Sequence, residues 1–214
     1  MQNKVDLAFS LIGTEIPADH GYLLFSALSK ILPFIHTNKQ VAIHPISGKR
    51  TENRLMYLNQ NSYLTFRVPE KMVSELLQLT GSLISIGDYE VRVGVPHVRK
   101  LKPAVSLYSP LVVIKGFMEP ESFFGAVHRQ LHDMNVRGKP MLVWQDKPLQ
   151  DVGGRTGDLH SHFVRRTLRV KDKEIVGFAL RIDNLTAEES LRVQENGIGG
   201  RNRFGCGIFL PFRR

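Results

Sequence analysis

Glycine and arginine are concentrated in one segment near the carboxyl end of the sequence, residues 197–207. Glycine permits positive φ and close approach to a ligand, so successive backbone amides can point into one concavity that holds an anion. Arg201 and Arg203 stand in this segment without an acidic neighbour. The segment therefore predicts a phosphate site. Its glycines are Gly197, Gly199, Gly200, Gly205 and Gly207.

The kind of phosphate ligand is narrowed by what the segment lacks. No Gly-Lys-Ser/Thr sequence follows, which excludes the Walker nucleotide-binding loop. Asn202 stands where the dinucleotide-binding motif has its third glycine, and the segment follows a predicted helix instead of preceding one. A nucleic-acid backbone remains the natural ligand. Composition alone is equally compatible with a tight helix-to-strand connection that needs glycine only for its turns.

A second basic segment, residues 160–171, contains no carboxylate. Arg165 and Arg169 share one face of a predicted strand, and Arg166 lies between them in sequence. A strand with a basic face can follow an RNA backbone, and His162 and Phe163 beside it could stack on bases. The alternative is an exposed edge strand whose charges prevent aggregation.

Two histidine pairs raise the question of a metal site. His128 and His132 have the i, i+4 spacing of a helix, but Arg129 stands where a zinc-protease motif has glutamate. His160 and His162 lack an evident third ligand. We therefore expect no metal at either pair.

The charge balance also indicates a polyanionic partner. The 214 residues include 29 Lys and Arg against 20 Asp and Glu, a formal net charge of +9, and the pI is about 9.8. Nucleic acid and an anionic membrane are the competing polyanions. No apolar run reaches the roughly 18–20 residues of a membrane span, and no signal peptide is recognisable. Because Cys206 is the single cysteine, no intramolecular disulfide is possible, and we expect a cytoplasmic protein with no membrane partner.

Two similar series of elements must position these residues. The first has strand, helix, strand, strand, helix and a hairpin arm, with one helix starting near Asp19 as N-cap and another near Pro69. Residues 95–103 are interpreted as a linker, and the strand-helix plan then repeats, including a capping box at residues 186–189. We predict an α+β fold with two βαββαβ domains, residues 1–98 and 99–214, each an antiparallel sheet backed by helices. One mixed α+β domain is the alternative.

The glycine spacing also carries a family resemblance. Gly-apolar-Gly, five residues, Gly-apolar-Gly over residues 197–207 resembles the carboxyl-terminal signature of the RAMP superfamily of CRISPR-associated proteins. Glu189-Ser190-Leu191, Ile208-Phe209-Leu210-Pro211 and the amino-terminal Asp19-His20-Gly21-Tyr22 are similar to one subgroup, the CRISPR repeat-processing endoribonucleases. The similarity spans nearly the whole chain. It implies two tandem ferredoxin-like domains, in agreement with the two series of elements.

The resemblance implies a metal-independent endoribonuclease that matures guide RNA without a cofactor. In this family the ribose 2′-hydroxyl attacks the adjacent phosphate, which leaves a 2′,3′-cyclic phosphate and a 5′-hydroxyl. Histidine suits such proton transfer, and lysine or arginine suits the charge of the phosphorane. The family's histidine lies in or just after the first helix. Of the candidates, we prefer His36 as general acid/base and place His44 second. His20 is disfavoured because a cationic imidazole there would oppose the helix dipole.

Three further residues complete the predicted site. Some family members place an aromatic hydroxyl where Tyr22 stands, although core packing is the alternative role for this ring. Lys49 and Arg50 follow Gly48 in a predicted basic turn. They could contact phosphate or stabilise the transition state, or form an ordinary solvated turn.

The expected partner is CRISPR repeat RNA and the crRNA made from it, with other subunits of an interference complex as further candidates. The alternative function is a non-catalytic RNA-binding RAMP subunit of a crRNA-guided complex. Positive charge and the glycine segment predict RNA binding under both hypotheses, which differ only in whether a correctly placed base exists. A small-molecule enzyme is disfavoured because no Gly-x-Ser-x-Gly nucleophile motif or comparable polar constellation is present.

Overall fold

A computed structural model of the chain describes residues 3–51, 53–144 and 163–212. The described residues of Met1–Leu101, Arg169–Lys173 and Asn202–Gly205 form one compact unit, and those of Lys102–Leu168, Glu174–Arg201 and Cys206–Arg214 form a second. The helices are α1 (Gly21–Ile31), α2 (Val73–Leu76), α3 (Pro120–Asp133) and α4 (Ala187–Asn196). Short 3-10 turns lie at Pro33–His36, Glu70–Met72, Leu77–Leu79 and Asn202–Phe204.

The strands alternate with these helices along the chain. They are β1 (Lys4–Ile12), β2 (Glu15–Pro17), β3 (Ala42–Ile43), β4 (Lys49–Arg50), β5 (Leu55–Tyr57), β6 (Tyr63–Pro69), β7 (Leu83–Ile86), β8 (Tyr89–Lys100), β9 (Leu107–Val112), β10 (Lys139–Leu142), β11 (Arg165–Val170), β12 (Lys173–Asp183) and β13 (Leu210–Pro211).

The main sheet of the first unit has the order β3-β6-β1-β8-β7, and its paired strands are antiparallel. With α1 between β1 and β3, and α2 between β6 and β8, this is the βαββαβ arrangement, to which β7 adds an edge strand. Alternate residues of the central strands are buried and face one another across the ladder. These pairs are Val5–Val68, Leu7–Phe66 and Phe9–Leu64.

Helix α1 covers the core because its apolar residues recur at helical spacing. Leu24, Ala27 and Leu28 are buried, as the sequence predicts, and the helix ends at Ile31 because Pro33 cannot extend it. The N-cap is His20 and not the predicted Asp19. The second predicted helix is shorter than expected: α2 is a single α-helical turn between two 3-10 turns.

The predicted linker at residues 95–103 is wrong over most of its length, because β8 continues to Lys100. Ala8 pairs with His97, and a register shift between Phe9 and Leu11 marks an irregularity in the ladder. Pro96 is accommodated since β7 pairs only with residues 89–92, which leaves this part of β8 at the edge of the described sheet.

The second unit repeats the arrangement with the order β10-β12-β9-β13, and β11 also pairs with β12. Its core lies between this sheet and the helices α3 and α4, where the tilted rings of Phe123 and Phe178 pack with centroids 4.8 Å apart. The predicted capping box is confirmed, since Thr186 and Glu189 bond each other's backbone amides at the start of α4. Among the described residues, no helix is both long and apolar enough to cross a bilayer.

Candidate functional site

The start of α1 is held by a buried histidine. His20 accepts a hydrogen bond from the Ile46 amide at Nε2 (2.9 Å), and its Nδ1 lies 3.0 Å from the carbonyl oxygen of Pro17. An accepting Nε2 leaves Nδ1 as the protonated nitrogen, so the ring is neutral and donates to Pro17. Burial lowers the pKa of His20, and this outweighs the favourable hydrogen bond to Pro17. The ring therefore connects α1 to the segment that precedes β4.

His36 is exposed at the end of the 3-10 turn Pro33–His36, directly after α1. Its imidazole packs on Phe25, with ring centroids 5.8 Å apart and an interplanar angle of 35°. The ring centroid of Phe204 lies 4.9 Å from that of Phe25 and 5.8 Å from that of Tyr22. The structure thus places His36 and Tyr22, two of the predicted catalytic residues, in one continuous group of rings with Phe204. Arg203 and Phe204 form the tip of the glycine-rich segment.

Arg203 connects the tip of the glycine-rich segment to the backbone at His36 through hydrogen bonds. Its Nη1 donates to the carbonyl oxygen of Ile35 at 2.9 Å and also to that of His36. The guanidinium carbon lies 5.5 Å from the centroid of Phe25. A residue predicted to bind phosphate is therefore engaged by protein carbonyls and an aromatic face.

The prediction that the glycine amides are free to line an anion-binding concavity is wrong, because all five amides donate hydrogen bonds within the chain. Gly197 donates to Val193, Gly200 to Val113, Gly205 to Asn202 and Gly207 to Leu111, each through the acceptor's carbonyl oxygen. Gly199 donates to the side-chain oxygen of Gln130 at 2.7 Å. Amides occupied in this way are not available to hold a phosphate.

The glycines instead satisfy backbone geometry. Gly199 has φ +77°, and a Cβ there would lie 2.3 Å from the carbonyl oxygen of Val113. Gly205 has φ +87° and would place a Cβ 2.9 Å from the ring of Pro45. Gly200, in contrast, has open space around its Cα. The tight-connection alternative thus explains Gly199 and Gly205, while the exposed Arg201 remains a candidate for RNA contact.

His44, the second histidine candidate, is buried in an ionic cluster on the sheet. Arg67, only 2% exposed, forms a bidentate ion pair with Asp6 through Nε at 2.7 Å and Nη2 at 2.8 Å. His44 Nε2 lies 3.4 Å from Oδ1 of Asp6 without hydrogen-bond geometry. Burial lowers the pKa of His44, and the Arg67 charge adds to this effect, against the attraction of the Asp6 carboxylate.

The carboxylate in this cluster is held in its charged form. Burial alone would raise the pKa of Asp6, but the hydrogen bonds and charge of Arg67, together with the neighbouring His44, bring that pKa well below its ordinary value. This cluster was not predicted as a unit. The available signal was a charged residue flanked by apolar residues in each of two strands, Asp6 in β1 and Arg67 in β6.

Lys49 and Arg50 do not form the predicted turn. They form β4, which pairs with β5 in a small sheet of order β2-β5-β4, and both side chains are exposed. Gly48 precedes them, and a Cβ at this position would lie 2.4 Å from the carbonyl oxygen of Tyr57, so the close approach requires glycine. The pairing fixes the backbone of these cations while leaving their charges in solvent.

The predicted basic strand is present as β11, where Arg165, Arg166 and Arg169 are all exposed. The amide of Arg169 donates to the Asp19 carboxylate at 3.3 Å, so the carboxylate predicted as the α1 N-cap binds this strand. His162 lies outside the described residues. In the part of the chain that the structure describes, no three His, Cys, Asp or Glu side chains form a group that could hold a metal ion.

Comparison with known proteins identifies relatives along the whole chain. A family model described as Cas6 Crispr matches residues 5–214. The chain is 36% identical over 207 residues to a protein of Myxococcus xanthus (strain DK1622) named CRISPR-associated endonuclease Cas6. That match covers 97% of this chain and 81% of the relative.

Solved structures share the fold at lower identity. A structure described as an RAMP protein binding different RNA substrates matches with a TM-score of 0.66 and 15% identity, over 98% of this chain and 100% of that one. The product of a Cas6-related gene from Pyrococcus furiosus matches with a TM-score of 0.65 and 17% identity, over 97% and 98% of the two chains. These similarities confirm the predicted fold of tandem ferredoxin-like domains.

Proposed function

This chain belongs to the Cas6 family, and we propose that it binds CRISPR repeat RNA and cuts it as an endoribonuclease. The named endonuclease of Myxococcus xanthus, 36% identical over most of the chain, supports this activity. The net charge of +9 suits a polyanionic substrate. The observation that carries the assignment is the position of His36, an exposed imidazole joined through Phe25 to the tip of the glycine-rich segment.

The proposed chemistry is transfer of the phosphate ester from the 5′-oxygen to the neighbouring 2′-oxygen. A base removes the 2′-hydroxyl proton as that oxygen bonds to phosphorus, and an acid supplies a proton to the departing 5′-oxygen. The products are a 2′,3′-cyclic phosphate and a 5′-hydroxyl. Each positioned proton-transfer group typically contributes about 10²–10⁴-fold to the rate. No step in this scheme requires a metal ion.

We assign the base to His36 and the proton donor to Tyr22. Both lie in the ring group around Phe25 and Phe204, and the exposed imidazole of His36 can be reached by a ribose. Lys49, which the sequence predicts as part of the site, is the first candidate for stabilising the phosphorane. Lys39, exposed three residues after His36, is a second cation suited to that role.

His44 is less suited to the reaction than His36. Its ring is buried beside the Asp6–Arg67 ion pair, and a proton-transfer group must approach the substrate to within about 3 Å. We therefore assign His44 to the stability of the sheet.

RNA contacts are assigned to exposed arginines. Arg50, Arg165, Arg166 and Arg169 are held on paired strands, and Arg201 is exposed in the glycine-rich segment. A paired strand fixes the spacing of its charges, which suits an extended backbone of phosphates. His162 is proposed as a base-stacking residue on its sequence position alone.

The proposal is tested by mixing the purified protein with its cognate repeat RNA in excess EDTA and identifying the product ends. Cutting that leaves a cyclic phosphate is the expected result. His36→Ala should retain RNA affinity and lose at least about 100-fold in single-turnover rate, while His132→Ala, an exposed histidine on α3, should cut normally. Tight binding with intact RNA would instead identify a non-catalytic RNA-binding subunit. Normal cutting by His36→Ala would remove His36 and make His44→Ala the next variant.

A further inference from the structure

Arg203 caps the short turn that carries His36. The carbonyl of Phe34 already accepts from the Asn38 amide at 3.1 Å, whereas those of Ile35 and His36 accept from Arg203 Nη1. The last carbonyls of a helical turn have no partner within the turn, and their negative ends favour a cation. Arg203 therefore satisfies backbone groups at the residue that carries the proposed base.

The side chain of His36 is restrained by the same contact group. Phe25, 7% exposed, packs against both the imidazole of His36 and the guanidinium of Arg203, at 5.8 and 5.5 Å. Phe204, the next residue in the segment, packs on Phe25 at 4.9 Å. Arg203 thus holds the backbone of His36, and the ring of His36 packs on Phe25, which both Arg203 and Phe204 contact.

We infer that Arg203 is a positioning residue for His36 and not a phosphate ligand. The inference rests on the proposed function, in which His36 moves a proton of the ribose 2′-hydroxyl. Proton transfer requires the heavy atoms to approach to about 2.6–3.2 Å, and a displacement of about 1 Å can cost roughly 100-fold in rate. The rigid guanidinium suits this role because it can donate in its plane while its face packs on Phe25.

Arg201 provides the matched comparison, two residues earlier in the same segment. It is exposed and belongs to the group of arginines assigned to RNA contact. The two arginines should therefore differ in what they change: Arg201 the affinity for RNA, and Arg203 the rate of cutting.

The experiment measures single-turnover cutting at saturating protein, and the dissociation constant at several salt concentrations, for Arg203→Ala, Arg203→Lys, Arg201→Ala and His36→Ala. Arg203→Ala should cut about 30–100-fold more slowly, with affinity and salt slope within twofold of the parent chain. Arg203→Lys, which can still donate to a carbonyl, should recover part of the rate. Arg201→Ala should weaken binding and reduce the salt slope by about 0.7–1. Adding Arg203→Ala to His36→Ala should slow the reaction no further, since both act through one imidazole.

Two results would overturn the inference while leaving the proposed function intact. One is loss of affinity and salt slope in Arg203→Ala that matches Arg201→Ala; the other is a parental cutting rate in Arg203→Ala while His36→Ala is slow. Normal cutting by His36→Ala would instead reject the assignment of the base. If circular dichroism shows that Arg203→Ala is unfolded, the same comparison of cutting rate, affinity and salt slope is made with Arg203→Lys, alone and combined with His36→Ala. The histidine Cε1–H resonances should show a shift assigned to His36 in the folded Arg203 variant, and an unshifted His36 resonance would contradict a positioning role.

Discussion

The amide of Ile46 donates to Nε2 of His20 over 2.9 Å, which makes a buried imidazole the acceptor for a backbone group twenty-six residues away. The opposite nitrogen contacts the Pro17 carbonyl, so the neutral ring satisfies two backbone groups at once. Protonation of Nε2 would replace this acceptor with a second donor. The fold therefore depends on His20 remaining uncharged.

His20→Ala should destabilise the protein by about 1–3 kcal/mol, because the Ile46 amide loses a buried acceptor. The pKa of His20 is lowered in the folded state, so the unfolded chain binds more protons as the pH falls below about 6.5. Its contribution to stability is complete above that pH and is lost on acidification. Urea unfolding at pH 8 and pH 5.5 checks both effects.

The matched control for His20 is His132→Ala, because the His132 side chain is 92% exposed. It should leave stability and its pH dependence near those of the parent chain. His20→Ala should remove part of the decline in stability between the two pH values. An unchanged decline would show that the acid sensitivity arises elsewhere.

The buried ion pair of Asp6 and Arg67 gives a second prediction. Asp6→Asn leaves the Arg67 guanidinium, 2% exposed, without its carboxylate and should cost about 3–5 kcal/mol of unfolding free energy. Asp133→Asn removes a carboxylate that is 78% exposed and should change stability by less than about 0.5 kcal/mol. Equal effects in a urea titration would mean that the Arg67 charge is compensated without Asp6.

Local patterns in the sequence predicted the elements well, because their causes lie within a few residues. The spacing of Leu24 and Leu28 predicted the buried face of α1, and Thr186 with Glu189 predicted the start of α4. The N-cap at Asp19 was wrong for a long-range reason: that carboxylate accepts from the amide of Arg169, 150 residues away. Pro96 suggested a linker because proline fits a strand only at a sheet edge. Sequence alone could not show that β7 stops pairing before residue 96 and leaves it at such an edge.

The residue types of the candidate site could be proposed from the sequence, but the partners of these residues could not. The family resemblance made His36 and Tyr22 candidates, but sequence could not show that Phe25 and Phe204 connect them. The same limit applies to Arg203, whose charge suggested phosphate while its partners are carbonyls brought close by folding. Burial likewise separates His44 from His36, and the charged residues of β1 and β6 did not by themselves show that the Asp6–Arg67 ion pair lies beside His44.

Adjacent glycines in the carboxyl-terminal segment provide a third prediction. Gly199→Ala should destabilise the protein by more than about 1 kcal/mol, since the residue has φ +77° and its Cβ would meet the Val113 carbonyl oxygen at 2.3 Å. Gly200→Ala has open space and should be tolerated. Thermal unfolding of the two variants measures the difference. A stable Gly199→Ala chain would require the segment to adopt another backbone path.

The arginines of β11 give the last prediction, which concerns RNA affinity. Arg165→Ala and Arg169→Ala should each weaken binding and reduce the magnitude of the salt slope by about 0.7–1, because each removes one exposed charge from the strand. Thr167→Val, between them on an exposed position, keeps a β-branched side chain and removes no charge, so its slope should equal that of the parent. Fluorescence anisotropy with repeat RNA over a range of salt concentrations provides the slopes. If the arginine variants retain the parental slope, β11 is an edge strand whose charges prevent aggregation, and the RNA backbone must be held elsewhere.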